Sequence, residues 1–457
     1  MKHCYDVVVC GGGAAGVFAG ISAARMGATT LIVEQDGYLG GTLTRSGIGP
    51  MATFHAGDKQ IIRGLVDEFI QRLVKKGKST GYVKDTSNYV SSLVNIDIES
   101  AKVELESMVL EAGGELLYHT MLGGVRAADG RIQAIEVCNK AGFSTIKAKV
   151  FIDATGDADV AYRAGVPCTK GRSIDGLCQP MGMKARYCNV DIGRLKEFIC
   201  DNPEQFPRMF KDISVLKDEC CVSTAIGFYG VWEEAKAKGE IDVPRNNVIL
   251  CETATPGEVL INTTRLQGFD ATNPEHVTRA EVEGRRQCAQ IDAFLRKYVP
   301  GFENAHLMFT GPTVGTRSSR QIVGLYTMTE EDILEQRHFE DEICYSSFPI
   351  DIHSPDGQGT RNVMPTYPYV NYCGIPYRSL VCGEIENLIV AGRCLSATFE
   401  AQSALRTTGI VGAMGHAAGV AAALALRETN GDARNINVSS LLAALAAQGA
   451  YLENYPR

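Results

Sequence analysis

The sequence predicts an α/β protein in two parts: a parallel sheet covered by helices, and a smaller mixed α+β domain that caps it. Three observations predict this fold. The chain has 457 residues, more than one hydrophobic core usually supports. Residues 5–34 read as strand, helix and strand, and an apolar strand with a long small-residue helix comes near the C-terminal end. The composition, 45% hydrophobic and 21% charged, is typical of a globular chain.

The opening segment carries the most specific pattern. Residues 6–10 form a short apolar run rich in β-branched side chains, which indicates a buried strand. A helix of small residues follows and ends near Gly27, and residues 29–33 form a second strand with Glu34 at its end. Between the first strand and the helix lies a G-x-G-x-x-G motif, formed by Gly11, Gly13 and Gly16.

Each residue type in this motif has a physical reason. Gly11 allows a sharp turn, Gly13 lets the backbone approach a pyrophosphate, and Gly16 lets helix and strand pack closely. The helix N-terminus offers unpaired N–H groups and a partial positive charge. Glu34 can accept hydrogen bonds from a ribose 2′-hydroxyl and would repel a 2′-phosphate, which disfavours NADP. The segment therefore predicts a Rossmann-like dinucleotide site and leaves FAD and NAD open.

Helix signals recur along the chain. Asp58 is expected to cap a helix that ends at Gly77, and a second helix is expected over residues 98–112. A capping box at residues 278–281 predicts the start of a helix that runs to Val299, before Pro300.

A β-meander is predicted between these helices. Its strands span residues 116–125, 131–137 and 145–154, with turns at Asp129-Gly130 and Ala141-Gly142. The third strand ends in the run Ala154-Thr155-Gly156-Asp157. Bare backbone at the carboxyl edge of an open α/β sheet is where such folds bind ligands.

The pattern changes between residues 171 and 341, where strands and helices mix without a second glycine fingerprint. We interpret this segment as a substrate-binding domain inserted between residues 1–170 and 342–457, which together form the nucleotide-binding domain. Because one fingerprint occurs, an architecture with a separate NAD(P)H domain is disfavoured.

The C-terminal part is expected to return to the first domain. Residues 387–393 form an apolar strand that breaks at Gly392, and residues 396–402 form a loop. The helix that follows carries glycines on about one face, at positions Gly409, Gly412, Gly415 and Gly419. Its uncharged stretch, residues 409–426, approaches membrane-span length, but its Gly and Ala content and His416 favour a tightly packed buried helix.

Charge and cysteine content narrow the class of protein. The net charge of −8 and the lack of a basic tract give no reason to expect nucleic-acid binding. The 15 cysteines include no C-x-x-C and no metal-site spacing, so no metal is expected. No signal peptide precedes the first strand, and a reduced cytoplasmic setting is expected.

Several motifs together resemble one protein family. Besides the fingerprint, they are residues 153–157, 314–320 (VGTRSSR), 375–380 (IPYRSL) and 387–396, in that order. With them the chain resembles the FAD-dependent oxidoreductase family related to the fumarate-reductase and succinate-dehydrogenase flavoproteins. The closest resemblance is to its uncharacterised bacterial branch, and it covers nearly the whole chain.

The resemblance implies FAD as cofactor, with the long C-terminal helix directed at the N1/O2 edge of the flavin, where its dipole would stabilise negative charge. One departure is that Arg393 follows the glycine of the last strand, where related flavoproteins often carry an aspartate. The candidate cofactor-binding residues are Gly11, Gly13, Ala14, Ala15, Gly16, Glu34, Gln35, Gly41, Thr42, Thr155, Gly156, Asp157, Gly392 and Arg393.

His353, at the end of the apolar run 348–353, is the first candidate for proton transfer, because an imidazole titrates near neutral pH. The alternative is a structural histidine, and His55 is a weaker rival. A second group of candidates is cationic and could anchor an anionic or polyhydroxy substrate, or could form salt bridges between domains. Its members are Arg317, Arg320, Arg378 and Arg406.

The leading interpretation is hydride transfer between flavin N5 and a small polar metabolite of the hydroxy acid, sugar or enoate class. The alternatives are a flavin-carrying electron-transfer or binding protein without turnover, and an NAD-dependent dehydrogenase that uses the same nucleotide site. The negative net charge of the chain disfavours a flavin-dependent enzyme that modifies RNA. The expected partners are a small-molecule substrate and an electron donor or acceptor, while the direction of reaction and the oligomeric state stay open.

Overall fold

The computed structural model describes residues 4–209, 216, 221–357, 359–363 and 371–453. The N-terminal part contains six strands of a seven-stranded sheet and its covering helices. Its elements are β1 Cys4–Cys10, α1 Ala14–Arg25, β2 Thr30–Val33, β3 Met51–Ala52, β4 His55–Ala56, β5 Lys59–Gln60, α2 Leu65–Lys75, β6 Val83–Lys84, β7 Ser92–Val94, α3 Ile98–Glu111, β8 Glu115–Leu117, β9 Met121–Ala128, β10 Arg131–Asn139, β11 Gly142–Asp153, α4 Asp159–Arg163 and β12 Cys168–Lys170.

The middle part is built on an antiparallel five-stranded sheet with its own hydrophobic core. Its elements are β13 Ala185–Cys188, α5 Ile192–Asp201, β14 Ala225–Gly227, α6 Tyr229–Ala237, β15 Val248–Glu252, β16 Val259–Ile261, α7 Pro274–Tyr298, β17 His306–Thr310, β18 Arg320–Ile322 and α8 Glu330–Leu334. The sheet order is β14-β15-β16-β13-β17. Trp232 and Phe294 pack edge-to-face in this core, with ring centroids 4.9 Å apart.

The C-terminal part returns to the first sheet. Its elements are β19 Glu342–Ser346, β20 Ile350–His353, β21 Thr360–Val363, β22 Cys373–Pro376, β23 Leu388–Val390, α9 Phe399–Leu405, α10 Thr408–Glu428 and α11 Val438–Ala447. The strand β23 pairs in parallel with β11. The predicted α/β fold with an inserted meander and a mixed second unit is therefore the observed one.

The register of the main sheet brings separate segments to one edge. The parallel strands run in the order β8-β2-β1-β11, and β9 and β10 extend the meander beside β11. Cys10 lies beside Val33 on one side and Asp153 on the other, and Asp153 lies beside Val390. The residues that follow these strands therefore meet at the carboxyl edge, where open α/β sheets bind ligands.

The helices α1 and α10 pack in direct backbone contact. A Cβ at Gly415 would lie 2.0 Å from the carbonyl oxygen of Ala15, and one at Gly419 would lie 2.1 Å from that of Ala19. Glycine is therefore required at both positions. The α10 segment is the helix in the described part of the chain that is long and apolar enough to cross a membrane, and 89% of its most apolar window is buried inside the protein.

This contact gives a stability prediction. Gly415→Ala should lower the midpoint of thermal unfolding, because overpacking against backbone costs about 1–3 kcal/mol. Gly409→Ala is the matched control on the same helix, since its Cβ would lie at ordinary contact distances, 3.4 Å from the Phe54 ring and 3.7 Å from the carbonyl oxygen of Ala52. The control should be neutral or stabilising, because alanine favours helix by roughly 1 kcal/mol. Equal midpoints for the two variants would contradict the packing described here.

Three sequence-based element predictions need correction. The helix α2 begins at Leu65, not near Asp58, because Ile61 and Ile62 both donate their N–H groups to the carbonyl of Phe54. The helix α7 begins at Pro274 and is capped by Asn273, so the expected capping box lies inside it. The strand expected over residues 116–125 is two strands, β8 and β9, which pair with different neighbours.

Candidate active site

A large cavity opens at the carboxyl edge of the main sheet. Its volume is about 1250 Å³, and its walls come from the glycine-rich loop, the start of α10 and the middle part. Small-molecule pockets usually measure about 300–1,000 Å³. This cavity has room for a dinucleotide together with a second, smaller molecule.

Of the three glycines in the motif, Gly13 faces open space, whereas Gly11 and Gly16 lie against neighbouring backbone. Gly11 has φ +96°, and a Cβ there would lie 2.6 Å from the carbonyl oxygen of Ala154. A Cβ at Gly16 would lie 1.8 Å from the carbonyl oxygen of Gly11. Gly13 differs, because its φ is −67° and a Cβ would have only the Gly41 Cα as neighbour, at 3.8 Å. The surface beside Gly13 is thus a cradle at the N-terminus of α1, where a phosphate would be held.

Glu34 is buried beside this loop. One carboxylate oxygen accepts the Gly12 N–H at 2.6 Å and the other accepts the Asp36 N–H at 2.9 Å. Burial raises the pKa of Glu34, and the two N–H bonds oppose that rise. Because a carboxylate can accept about four hydrogen bonds, capacity remains for ribose hydroxyls on the cavity side.

Arg393 closes the other side of the cradle. Its guanidinium pairs with the carboxylate of Asp157 at 2.9 Å and donates to the Ser319 hydroxyl at 2.8 Å. Thr155, Gly156 and Gly392 also line the cavity here. The departure at position 393 therefore places a cation at the end of the last strand and a carboxylate, Asp157, opposite it.

The N-terminus of α10 also faces the cavity. Thr407, Thr408 and Val411 line it. The Thr407 hydroxyl oxygen is buried with no hydrogen-bond partner among the described residues. The positive end of a long helix and an unpaired hydroxyl are donors for a ligand atom that carries negative charge. With the Gly13 cradle, these donors fit a flavin dinucleotide; Ala14, Ala15, Gln35, Gly41 and Thr42 line the same space.

Comparison with known proteins shows to which family the chain belongs. The model of the family described as FAD dependent oxidoreductase matches residues 6–445. The chain belongs to this family. FAD is therefore the cofactor and the protein is an enzyme, in agreement with the resemblance in the sequence; the branch related to fumarate reductase stays a prediction.

Solved structures of other proteins are similar to this chain. A triple mutant of the flavin-dependent brominase Bmp2 is 13% identical, with a TM-score of 0.50, over 97% of this chain and 84% of that chain. A geranylgeranyl bacteriochlorophyll reductase-like protein from Thermoplasma acidophilum is 12% identical, with a TM-score of 0.48, over 97% and 83% of the two chains. At such identities the likeness concerns the fold alone. No match to a curated protein was found.

The other half of the cavity wall is cationic. We use the name cation cluster for Lys184, Arg245, Arg265, Arg317 and Arg406, which all line the cavity. Burial and the neighbouring guanidinium groups lower the pKa of Arg245 and of Arg317 to about 9. These members therefore sit close enough to repel one another in a poorly solvated space.

The surrounding elements hold the cluster in place. The Trp232 indole donates to the carbonyl of Arg245 at 2.8 Å, which ties that residue to the middle core. Arg317 donates to the carbonyl of Pro180 at 2.5 Å. Several guanidinium nitrogens nevertheless have no partner among the described residues, namely Nε of Arg245, Arg265 and Arg406 and Nη1 of Arg245.

Asp351 is the carboxylate paired within this cluster. Its Oδ2 lies 3.1 Å from the Arg406 guanidinium and 3.3 Å from Nε2 of His353. Burial acts to raise the pKa of Asp351, but His353 and Arg406 outweigh it and hold that pKa below its usual range. Asp351 is thus an anion that orients both neighbours.

Two of the predicted catalytic arginines, Arg317 and Arg406, lie together with His353 in the cavity wall. Arg320, also a cavity residue, pairs with Asp159 near the cofactor side at 2.6 Å. Arg378 must be corrected: it is outside the cavity lining, half-exposed, and pairs with Asp341 at 3.3 Å.

His55 is likewise absent from the cavity lining, and its Nδ1 lies 2.9 Å from the Ser92 hydroxyl. Within the described ranges no group of three or more His, Cys, Asp or Glu side chains could hold a metal ion.

Sequence reasoning missed Lys184, Arg245, Arg265 and Asp351. One signal was available: Lys184 and Arg186 alternate with Met183, Ala185 and Tyr187 in an otherwise apolar strand. Charged side chains inside a buried strand are rare and need a partner or a function. Arg245 gave no such signal, since it lies in a segment without apolar periodicity.

Proposed function

We propose that this FAD-dependent oxidoreductase transfers a hydride between flavin N5 and a small metabolite that carries at least one carboxylate, of the hydroxy acid or enoate class. The cation cluster carries the proposal. Among the described residues, its buried guanidinium groups outnumber the one carboxylate paired with them, Asp351. Buried charges without partners cost several kcal/mol each, so an anionic ligand would satisfy guanidinium groups that the described part of the chain leaves without partners.

The chain's residues then have distinct roles. The FAD cofactor supplies two-electron chemistry when bound. Arg317 and Arg406 would fix the substrate carboxylate with paired N–H donors, because a guanidinium matches a carboxylate in a fixed fork. Asp351 would hold Arg406 and His353 in orientation. A neutral sugar offers no charge to match the cluster, so that part of the expected substrate range is disfavoured.

The test follows the absorbance of the bound flavin anaerobically with matched pairs of compounds: hydroxy acids are added to the oxidised flavin, which they should bleach, and enoates to flavin first reduced with dithionite, which they should reoxidise. Each hydroxy acid or enoate is compared with its neutral amide or ester, and sugars are included. We expect the acids to change the flavin spectrum and the neutral partners to leave it unchanged. Equal bleaching by acid and amide would contradict the proposal. A flavin inert to the whole panel that exchanges electrons with a carrier would support the electron-transfer alternative.

Arg317→Met should weaken substrate binding about 10- to 100-fold, because a charged hydrogen bond is worth roughly 1.5–3 kcal/mol. Flavin content should stay that of the parent, since Arg317 lies in the cation cluster rather than at the glycine loop. The measurement is the substrate concentration for half-maximal rate of flavin reduction. Arg378→Met is the matched control, because Arg378 lies outside the cavity. The same loss in both variants would argue against a substrate contact.

A further inference from the structure

Lys184 is an unusual member of the cation cluster. It precedes β13, lines the cavity and is only 5% exposed. Its Nζ donates a hydrogen bond to the side-chain oxygen of Asn262, a neutral partner. No salt bridge to Lys184 exists among the described residues.

The charges that act most strongly on Lys184 oppose a positive charge on it. A Cβ placed on Gly182 would lie 3.3 Å from both Lys184 Nζ and Arg317 Nη1, so the two nitrogens border one small space. Arg245 and Arg406 add further positive charge. Lys184 also interacts with the thiols of Cys251 and Cys288.

Burial raises the pKa of both thiols to about 12, so neither supplies an anion near pH 7. Burial first, and then the guanidinium groups, lower the pKa of Lys184 well below its usual value. This setting favours the neutral form of the amine, which is able to accept a proton.

His353 is less suited to proton exchange than its sequence position suggests. Its Nε2 lies 3.3 Å from the Asp351 carboxylate, and its Nδ1 lies 3.4 Å from the Arg265 guanidinium. Burial and then Arg317 lower the pKa of His353 well below its usual value. Both ring nitrogens are therefore engaged, and a second proton on the ring would meet a guanidinium.

We propose that Lys184 is the catalytic residue that exchanges the proton of the reaction with the substrate, and that His353 is a positioning residue. The inference rests on the proposed function. In the oxidising direction the substrate C–H bond breaks and its electron pair passes to the flavin. The O–H bond breaks, its proton forms a new N–H bond at Lys184 Nζ, and the carbonyl forms. The reducing direction returns the same proton from Lys184 to the substrate.

The first test compares Lys184→Arg and His353→Ala with the parent protein in stopped-flow reduction of the flavin. Lys184→Arg keeps a cation but lacks an amine that can be neutral, so substrate affinity should change by less than tenfold. Its rate of flavin reduction should fall about 10²–10⁴-fold, the usual contribution of general acid–base catalysis. The limb of the pH profile of the reduction rate that reports the titration of Lys184 should disappear. Lys149→Arg, on an exposed lysine paired with Asp6, is the control and should match the parent.

A parental rate and an unchanged pH profile in Lys184→Arg would overturn the proposal. His353→Ala should raise the half-saturating substrate concentration more than it lowers the limiting rate, as a positioning role requires. If His353→Ala lost this limb of the pH profile and Lys184→Arg kept it, the proton-exchanging group would be His353 and not Lys184.

A second readout needs no turnover. In flavin-loaded protein labelled with ¹³Cε-lysine, the Lys184 resonance, assigned by its loss in Lys184→Arg, should titrate well below that of Lys149. A Lys184 resonance that titrates in the same pH range as the surface lysines would contradict the proposal. Failure of the proposed function has a different signature, because then no carboxylate in the panel reduces or reoxidises the flavin of the parent protein at all.

Discussion

Replacing Gly13 with valine is expected to give a folded protein that retains almost no flavin. The backbone at Gly13 has an ordinary φ of −67°, and the only atom near an added Cβ is the Gly41 Cα, 3.8 Å away. The valine methyl groups would therefore point into the cradle at the N-terminus of α1 without disturbing the protein around it. A pyrophosphate needs that volume, together with the N–H groups that line it.

The measurement is flavin absorbance per chain after gel filtration, beside a circular dichroism spectrum. Gly383→Val is the matched control, because a Cβ there meets nothing within 4 Å and Gly383 lies outside the cavity lining. The control should keep its flavin. A Gly13→Val protein with full flavin content would show that the diphosphate lies elsewhere, and the cofactor assignment of the loop would fail with it.

Asp351→Asn is expected to destabilise the protein strongly. Removing one partner of a buried ion pair typically costs about 3–5 kcal/mol, because the other charge is left buried and unpaired. Here Arg406 would lose its carboxylate while the rest of the cation cluster stays in place. The midpoint of thermal unfolding should fall by several degrees. Asp175→Asn removes an exposed partner of Arg172 and should leave the midpoint unchanged.

The same variant tests the anion site. Small carboxylates such as malonate should raise the unfolding midpoint of Asp351→Asn more than that of the parent, because an anion bound to the folded state stabilises it by mass action. The lack of a shift in both proteins would mean that the cluster does not bind anions.

The lowered pKa of Asp351 also predicts that the free energy of unfolding decreases in acid. The pKa of folded Asp351 lies below its unfolded value, so its contribution is present above about pH 4 and is lost as the pH falls through the folded pKa. Thermal unfolding of the parent between pH 5 and pH 2 should show this loss, and the loss should be smaller in Asp351→Asn.

The sequence predicts the cofactor half of the site better than the substrate half, for a physical reason. Gly11, Gly13, Gly16 and Glu34 act through local backbone geometry within one βαβ unit, so their spacing carries the information. The cation cluster is assembled from segments far apart in the chain. Lys184 and Arg245 meet Arg317, and Arg406 at the end of α9, only in the folded protein, and no spacing in the sequence encodes that approach.

Local signals also misled where a tertiary contact decided the outcome. Arg378 was a candidate substrate anchor because of its guanidinium, but its side chain stacks on Tyr326, 5.2 Å from the ring centroid, and pairs with Asp341. Thr278 begins a correct capping-box pattern, yet Asn273 and Pro274 begin the helix one turn earlier.

The contact between α1 and α10 also governs when the protein can mature. The two helices lie at residues 14–25 and 408–428, at opposite ends of the sequence. During synthesis the first helix leaves the ribosome well before the helix that covers it has been translated. The cofactor pocket therefore cannot be completed before α10 has been made, and chains that stop short of Gly415 will present an apolar helix face to chaperones and proteases instead of that pocket.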